Sequence, residues 1–357
     1  MNQDRRSRGP AALVELLEDR KLFAVTGGLE VAATPAAAPV VTTRAVVNGR
    51  IAAGKSTVYF NDPVGGSVGP NVSLVLKNTG TGPLSINGLS LAGTNAAMFK
   101  VTSGPNGSAL PFTLAAGGSA TVKLAFNPPS GTAAGIKVGA LNVATNDPTR
   151  PTLAVNLRGL ATLGTGGTLE PSLQRILDLY QIQVRTGDPN PATTYMFSNT
   201  EVRGANDEVV RQLLKKAGTG SVTIQALATF AGGSPSAVVG WYPAGNPGGK
   251  KQLFTVAGST AQSVNPALTG STSFDPGSAS FGLYTAFPFI NTTQYSQDAL
   301  NTAENSIKRK IRFYPLKQNG AVIANAYVFT TEDWNNDNKG GTDSNDFVGI
   351  IRNVTLG

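Results

Sequence analysis

The sequence predicts an all-β protein of two β-sandwich domains with one or two short helices. Three observations predict it. Residues 45–161 consist of short alternating apolar runs separated by Gly, Pro and Asn turns, the pattern of strands with one face buried. A second such series follows residue 169 and is richer in rings, since 19 of the 25 aromatic residues lie after residue 179. Helical spacing is confined to a few brief stretches. No apolar run reaches the roughly 18 residues of a membrane-spanning helix.

In chain order, residues 1–23 pair a basic opening with a short apolar stretch that Glu15, Glu18 and Asp19 interrupt, a poor secretory signal. Leu13, Leu16, Leu17 and the run from Arg20 to Phe23 fit one amphipathic helix. Residues 24–44 are rich in Ala, Pro and Thr without a period and read as an extended linker. The first sandwich, residues 45–161, has strands such as Ser73-Leu74-Val75-Leu76-Lys77, Thr121 to Phe126 and Leu153 to Leu157. Asn78-Thr79-Gly80, Gly104-Pro105, Gly117-Gly118 and Asn146-Asp147-Pro148 punctuate them, and an antiparallel sandwich is expected.

Residues 162–168 read as a flexible hinge. Residues 169–357 form the second, larger sandwich. It opens with a helix over 169–182, where Leu173, Ile176, Leu177 and Tyr180 follow i, i+3, i+4, i+7 behind Pro171. Residues 207–217 fit a capped helix or a strand edge equally. The stretches 222–230, 238–242, 252–256, 281–286, 310–314, 326–330 and 347–354 read as strands.

Composition removes whole classes of chemistry. With no His and no Cys there is no imidazole base, thiol nucleophile, disulfide, zinc ribbon or iron–sulfur cluster. Carboxylate, hydroxyl, amide, cationic and aromatic chemistry remain. The net charge of +8 divides into +1, +6 and +1 over residues 1–44, 45–161 and 162–357. The eight basic residues of the middle segment are dispersed along strands and turns, which is a solvated face and not a nucleic-acid surface.

Two motifs fail on context. Residues Gly49 to Ser56 satisfy the phosphate-loop pattern, but Thr57-Val58-Tyr59-Phe60 is β-branched and aromatic and Asn61-Asp62-Pro63 follows, so no helix begins there to receive phosphate. Gly65-Gly66-Ser67-Val68-Gly69 fits a nucleophile elbow without a strand, a helix or a His to serve it, and reads as a Gly-rich hairpin turn.

The informative cluster runs from Thr331 to Asp346. Asp333, Asn335 and Asp337 occupy the first, third and fifth places of a calcium loop, where alternate side chains converge on one hard cation. Asn338 and Ser344 stand where an EF-hand needs Gly and a bidentate Glu, so an EF-hand is not expected. Asp343, Asn345 and Asp346 precede the strand from Phe347 and can close an oxygen cage from the other side. Calcium and a solvated acidic hairpin both satisfy the pattern, because clustered carboxylates need water or a cation.

Among the aromatic residues, Trp241, Tyr242 and Trp334 are candidates for stacking a sugar ring, with burial in the core as the alternative. Glu201, Glu208, Asp275, Glu304 and Glu332 supply carboxylates for a glycosidase, but spacing identifies no pair.

Three stretches resemble known families. Leu17 to Phe23, behind an Arg cluster, resembles the L-E-P-R-x-L-L element of planctomycete-type exported surface proteins, with Asp19 in place of its Pro and Phe23 in place of its last Leu. Residues 73–159, through Asn78-Thr79-Gly80, Phe126-Asn127-Pro128 and Thr145-Asn146-Asp147-Pro148, resemble the ASPM/hydin-like immunoglobulin-type module, of the choice-of-anchor type. Glu170-Pro171-Ser172, Gly240-Trp241-Tyr242, Arg312-Phe313-Tyr314-Pro315 and the acidic tail resemble a jelly-roll-like module that closes many exported bacterial proteins and has no assigned activity. That family carries a His before the Arg-x-Tyr-Pro strand, where this chain has Lys308-Arg309-Lys310.

These resemblances imply a secreted or cell-surface bacterial protein, non-catalytic and structural or adhesive, with a cell-envelope component or glycan as partner. Calcium is its expected ion. A carbohydrate-binding module is the alternative, and a glycosidase the third reading.

Overall fold

Every second side chain of Val72–Asn78 is buried, with Leu74 and Leu76 inward and Val75 and Lys77 outward. That alternation recurs through the first sandwich of a computed structural model that describes residues 48–187, 206–303, 307–334 and 343–357. The expected sorting element and linker, residues 1–23 and 24–44, lie outside the described residues.

Nine strands build this sandwich: β1 Ile51–Ala53, β2 Thr57–Pro63, β3 Val72–Asn78, β4 Leu84–Ala92, β5 Phe99–Ser103, β6 Phe112–Leu114, β7 Ser119–Phe126, β8 Gly135–Thr145 and β9 Thr152–Thr162. They form a four-stranded sheet β1-β3-β7-β5 facing a five-stranded sheet β2-β9-β8-β4-β6. The antiparallel expectation has one exception, since β2 runs parallel to β9 from Thr57↔Asn156 to Pro63↔Thr162. Because β2 and β3 belong to different sheets, Gly65 to Gly69 carry the chain between layers and do not form the expected hairpin. The phosphate-loop look-alike is the short link between β1 and β2, with no helix after it.

The two punctuating motifs are hydrogen-bond hubs. Asn78 is fully buried, and its Nδ2 donates to the carbonyls of Gly82 (2.8 Å), Leu114 (3.1 Å) and Ala115 (3.0 Å). Asp147 Oδ2 accepts from Ile51 N–H at 2.9 Å, while Oδ1 accepts from Thr149 N–H (2.9 Å), Thr149 Oγ1 (2.8 Å) and Arg50 Nη1 (3.1 Å). Against burial, which opposes ionisation, these donors hold the Asp147 carboxyl well below the usual carboxylate range. Asp147→Ala is expected to cost about 3 kcal/mol, because it strands buried donors. Urea unfolding with an unchanged midpoint would contradict that.

The second sandwich holds helix α1 (Leu173–Leu179) and strands β10 Leu214–Lys216, β11 Val222–Phe230, β12 Ala237–Pro243, β13 Lys251–Val256, β14 Gln262–Val264, β15 Leu268–Gly270, β16 Ser273–Phe274, β17 Phe281–Phe287, β18 Thr292–Tyr295, β19 Ile311–Gln318, β20 Ala321–Thr331, β21 Phe347–Arg352 and β22 Val354–Leu356. A seven-stranded sheet runs β15-β13-β12-β17-β10-β22 with β18 on β17. A six-stranded sheet runs β14-β11-β21-β20-β19 with β16 on β11. The fold is therefore all-β with two sandwiches, as the patterning predicts.

Helix α1 is shorter than the 169–182 expected. Ser172 caps its start, accepting from Arg175 N–H, and Gln181 at φ 57° turns the chain out of helical geometry. The ambiguous 207–217 stretch resolves as extended chain leading into β10, whose Leu214 is buried between β17 and β22.

The six-stranded sheet is apolar on both faces. Phe313, Phe329, Phe347 and Ile351 pack toward the seven-stranded sheet. Their chain neighbours Tyr314, Val328, Val348 and Ile350 point the other way, into a second core with Ile176, Leu177, Tyr180 and Leu160 of β9. Period-2 alternation with both phases apolar marks a sheet covered on each side. Helix α1 is the cover, lodged between this sheet and the outer face of the first sandwich.

Polar contacts fix this junction. Arg158 of β9 donates from Nε to the carbonyl of Leu179 (2.7 Å) and from Nη2 to that of Asp178 (3.0 Å), capping the last turn of α1. The Asn61 amide of β2 substitutes for a strand along the edge of β14, donating to Gln262 O at 2.9 Å and accepting from Val264 N–H at 2.8 Å. Tyr59 and Tyr180 rings pack at 4.4 Å between centroids. Among the described residues no helix is long and apolar enough to cross a membrane.

Candidate metal centre

Strand β20 leaves the six-stranded sheet where β21 enters it, with Thr331 paired to Phe347. This register places residues 332–334 opposite residues 343–346 at one end of a buried strand pair. Acidic groups distributed along the sequence thereby become neighbours in space.

Glu332 is only 3% exposed. Its Oε1 accepts from Trp334 N–H (3.0 Å), and its Oε2 from Asp343 N–H (3.0 Å) and Ser344 N–H (3.2 Å). Asp346, 5% exposed, accepts from Asp333 N–H at 2.7 Å through Oδ2. Carboxylate oxygens of Glu332, Asp333 and Asp346 all lie within 4.8 Å of one another. The backbone carbonyl of Asp333 is held by Thr292 Oγ1 (2.9 Å) and Gln294 Nε2 (3.1 Å), which anchors the cluster to β18. Asn345 is fully buried, and its Nδ2 donates to Pro171 O at 2.9 Å.

Electrostatics bind a wider group together. Burial first, then the charges of Asp343 and Asp333, drive the Glu332 carboxyl well above its ordinary range. Asp346 is raised by burial and by Asp333, Glu332 and Asp343. Burial pushes Asp333 up to about 6. Asp343 rises to about 7 through burial and the charge of Glu170. Glu170, just ahead of α1, is itself pushed to about 7, chiefly by burial, with Asp333 and Glu332 adding to the rise. Against these five carboxyl groups stands the fully buried Lys310, which donates to the carbonyl of Trp334 and favours the ionised forms of Glu332 and Asp333.

Such a donor set suits a hard cation that takes six or more oxygens. Ser344 Oγ and Asn345 Oδ1 are buried oxygens without a hydrogen-bond partner, which suits it further. The solvated-hairpin alternative does not describe Glu332 and Asp346, because both are out of water.

Of the expected ligands, Asp333 and Asp346 are brought together with Glu332; Asp343 meets Glu332 through its backbone N–H and Asn345 bonds Pro171 O, whereas Asn335 and Asp337 lie outside the described residues. Asp333 gathers with Glu332, its chain neighbour, and with Asp346 across the strand pair, so the one-three-five spacing is not what assembles the described part. Sequence reasoning left Glu332 out of the ligand set. An acid directly after a long buried strand was the available signal for it.

The stacking platform needs correction. Trp241 is 6% exposed and stacks on Phe274 at 5.7 Å inside the sandwich, with Phe281 edge-on at 6.1 Å. Tyr242 is fully buried and donates or accepts at Ser296 Oγ (3.3 Å). Neither offers a ring face to a sugar, because β12 lies between two neighbours in the seven-stranded sheet and is buried along nearly its whole length. Trp334 is 42% exposed and keeps that option. Of the glycosidase carboxylates, Glu208 is locked by Arg312 (2.7 Å) and Arg309 (3.1 Å), and the exposed Asp275 pairs with Lys216 (2.7 Å). Glu201 and Glu304 lie outside the described residues.

No family model and no curated protein matches the chain. Among solved structures it is similar to a protein of unknown function from Porphyromonas gingivalis W83, at 14% identity and TM-score 0.25 over 34% of this chain and 51% of that one. The ASH/PapD-like domain of human CEP192 is similar at 15% identity and TM-score 0.24, over 40% of this chain and 99% of that one. The CupB2 chaperone of Pseudomonas aeruginosa is similar at 11% identity and TM-score 0.25, over 68% and 97%. The chain spans about half the length of the first of these. TM-scores this low leave the fold resting on its own strand pairing.

Proposed function

We propose that this chain is an exported, cell-surface β-sandwich protein that carries no catalysis and whose larger sandwich binds calcium. The acidic cluster is then a folding device: the cation neutralises the cluster and secures β21 at the centre of its sheet. One observation carries the reading, namely that Glu332, Asp333 and Asp346 oxygens gather within 4.8 Å where Glu332 and Asp346 have lost water. Carboxylates so placed need either protons or a cation. Calcium fits better than magnesium, because Asp, Glu and Asn oxygens from several segments give an irregular cage and not a strict octahedron.

Titration calorimetry of the full chain with calcium is expected to show saturable binding that Asp333→Asn weakens about tenfold or more. Absence of binding heat, together with an unchanged tryptophan spectrum on calcium addition, overturns the reading.

A carbohydrate-binding module is the second reading, favoured by one feature: Trp334, whose backbone N–H bonds Glu332, is 42% exposed. If glycan arrays retain the chain, Trp334→Ala is expected to abolish retention. Retention that survives this change excludes the indole as the platform.

A further inference from the structure

We infer that the first sandwich binds an acidic polysaccharide along a track of cations and hydroxyls, which runs from the β1–β2 link through the cleft at the sandwich junction onto the four-stranded sheet. The inference is independent of the calcium reading and gives the smaller domain a ligand of its own.

The first observation is a one-sided surface charge. Residues 45–161 hold eight basic side chains and two acidic ones. Both acids are withdrawn from the surface, Asp62 at 7% exposure and Asp147 at 2%. Asp147 pairs with Arg50 at 3.1 Å, and Arg158 is engaged by the carbonyls that end α1. The other six cations, Lys55, Lys77, Lys100, Lys123, Lys137 and Arg150, form no ion pair and no side-chain hydrogen bond among the described residues. A surface with unpaired cations and no carboxylate attracts polyanions.

Four of the six stand along one path. A hollow of about 390 Å³ is lined by Lys55, Ser56, Arg150 and Thr152. A second, of about 810 Å³, shares the Lys55-Ser56 link and is lined by Asn71 and Ser73 of the first sandwich and by Gln225 and Asn265 of the second. No carboxylate lines either. Ser73 leads outward, since it pairs with Lys123 on the exposed face of β3 and β7, and Lys77 shares that face four residues along β3. Four strand steps of about 3.3 Å and one strand spacing of about 4.8 Å place Lys77 and Lys123 about 14 Å apart.

Spacing and neighbours select the polymer. Duplex DNA carries a charge every 1.7 Å or so, and single strands are held by cations interleaved with rings on which bases stack. Here the cations are single and far apart, and the rings at the cleft, Tyr59 and Tyr180, are packed on each other. Between the cations lie Ser56, Ser73 and Gln225, whose side chains make no hydrogen bond among the described residues. Sparse charge with free hydroxyl and amide groups between matches a sugar chain whose anionic groups are widely set.

Calorimetry of the full chain in chelator, with polygalacturonate and dextran sulfate as probes, tests this without involving the calcium site. At least one is expected to bind, more weakly as salt is added, and their ratio tells carboxylate from sulfate preference. Lys55→Gln and Arg150→Gln, both exposed, are expected to raise the Kd about fivefold each and about twentyfold together. Lys215→Gln, exposed on β10 of the second sandwich, is expected to keep the wild-type Kd. Failure of both probes to bind, a wild-type Kd in the double variant, or an equal loss in Lys215→Gln overturns the track. Neutral dextran, duplex DNA or phosphatidylserine vesicles binding as tightly as the better probe overturns the assignment to an acidic polysaccharide.

Discussion

Saturating calcium is expected to raise the melting temperature of the full chain by about 10 °C, and chelator to abolish the rise. A ligand that binds only the folded state at about a thousandfold excess over its Kd contributes about 4 kcal/mol. For a domain of this size, each kcal/mol corresponds to about 2–4 °C. On the calcium reading the unfolded chain has no cage to compete, since Glu332 and Asp333 at the end of β20 meet Asp346 at the start of β21 only on folding. Asp346→Asn separates attraction from repulsion. In chelator it is expected to melt at or above the wild-type temperature, because one buried like charge is gone while Asp333 N–H keeps an acceptor. In calcium it is expected to lose most of the increment. A melting curve indifferent to calcium and chelator defeats the proposal.

The second large effect concerns pH. Free Asp and Glu titrate near 3.9 and 4.3, whereas in the cluster Asp333 stands at about 6 and Asp343 and Glu170 at about 7. With folded-state values raised, the cation-free protein holds more protons than its unfolded chain between pH 4 and pH 7. Its stability is therefore highest below about pH 4 as far as these groups are concerned, and falls as pH rises to about 7. Each retained proton contributes a slope of about 1.4 kcal/mol per pH unit at most. Calcium is expected to reverse the trend by replacing those protons. The calcium increment in melting temperature is expected to be small at pH 5 and largest near pH 8, with proton release on binding at pH 6. An increment constant across that range contradicts the cation–proton exchange.

Much of the fold was legible because burial repeats along strands. Leu74 and Leu76 alternate with Val75 and Lys77 as a one-sided strand must, and β11 occupies the predicted 222–230. What escaped was non-local. Nothing in Thr57 to Pro63 distinguishes a parallel partner from an antiparallel one, since either face pattern is the same. The extent of α1 was overread because Leu169 and Ile182 continue the apolar spacing, while the Ser172 cap and the positive φ at Gln181 set the ends. At the site, acid density between 331 and 346 located the cluster. The loop template then favoured Asp333 with its i+2 and i+4 partners, whereas strand pairing brings Glu332 and Asp333 together with Asp346. Trp241 and Tyr242 misled because a ring in a strand has the same sequence signature in a core as on a surface.

The sheet with two apolar faces has a consequence for biosynthesis. As the chain emerges, the first sandwich completes itself, because β1 to β9 pair only among themselves and share one core. Its outer face then presents Leu160, Ile136 and Tyr59 as a ready template on which α1 docks. The second sandwich has less independence: α1 covers Tyr314, Val328, Val348 and Ile350, but that shared core is closed on its other side by Leu160, Tyr59 and Ile136 of the first sandwich. Synthesis from the N-terminus therefore lays down the surface that closes the second core before that core is made.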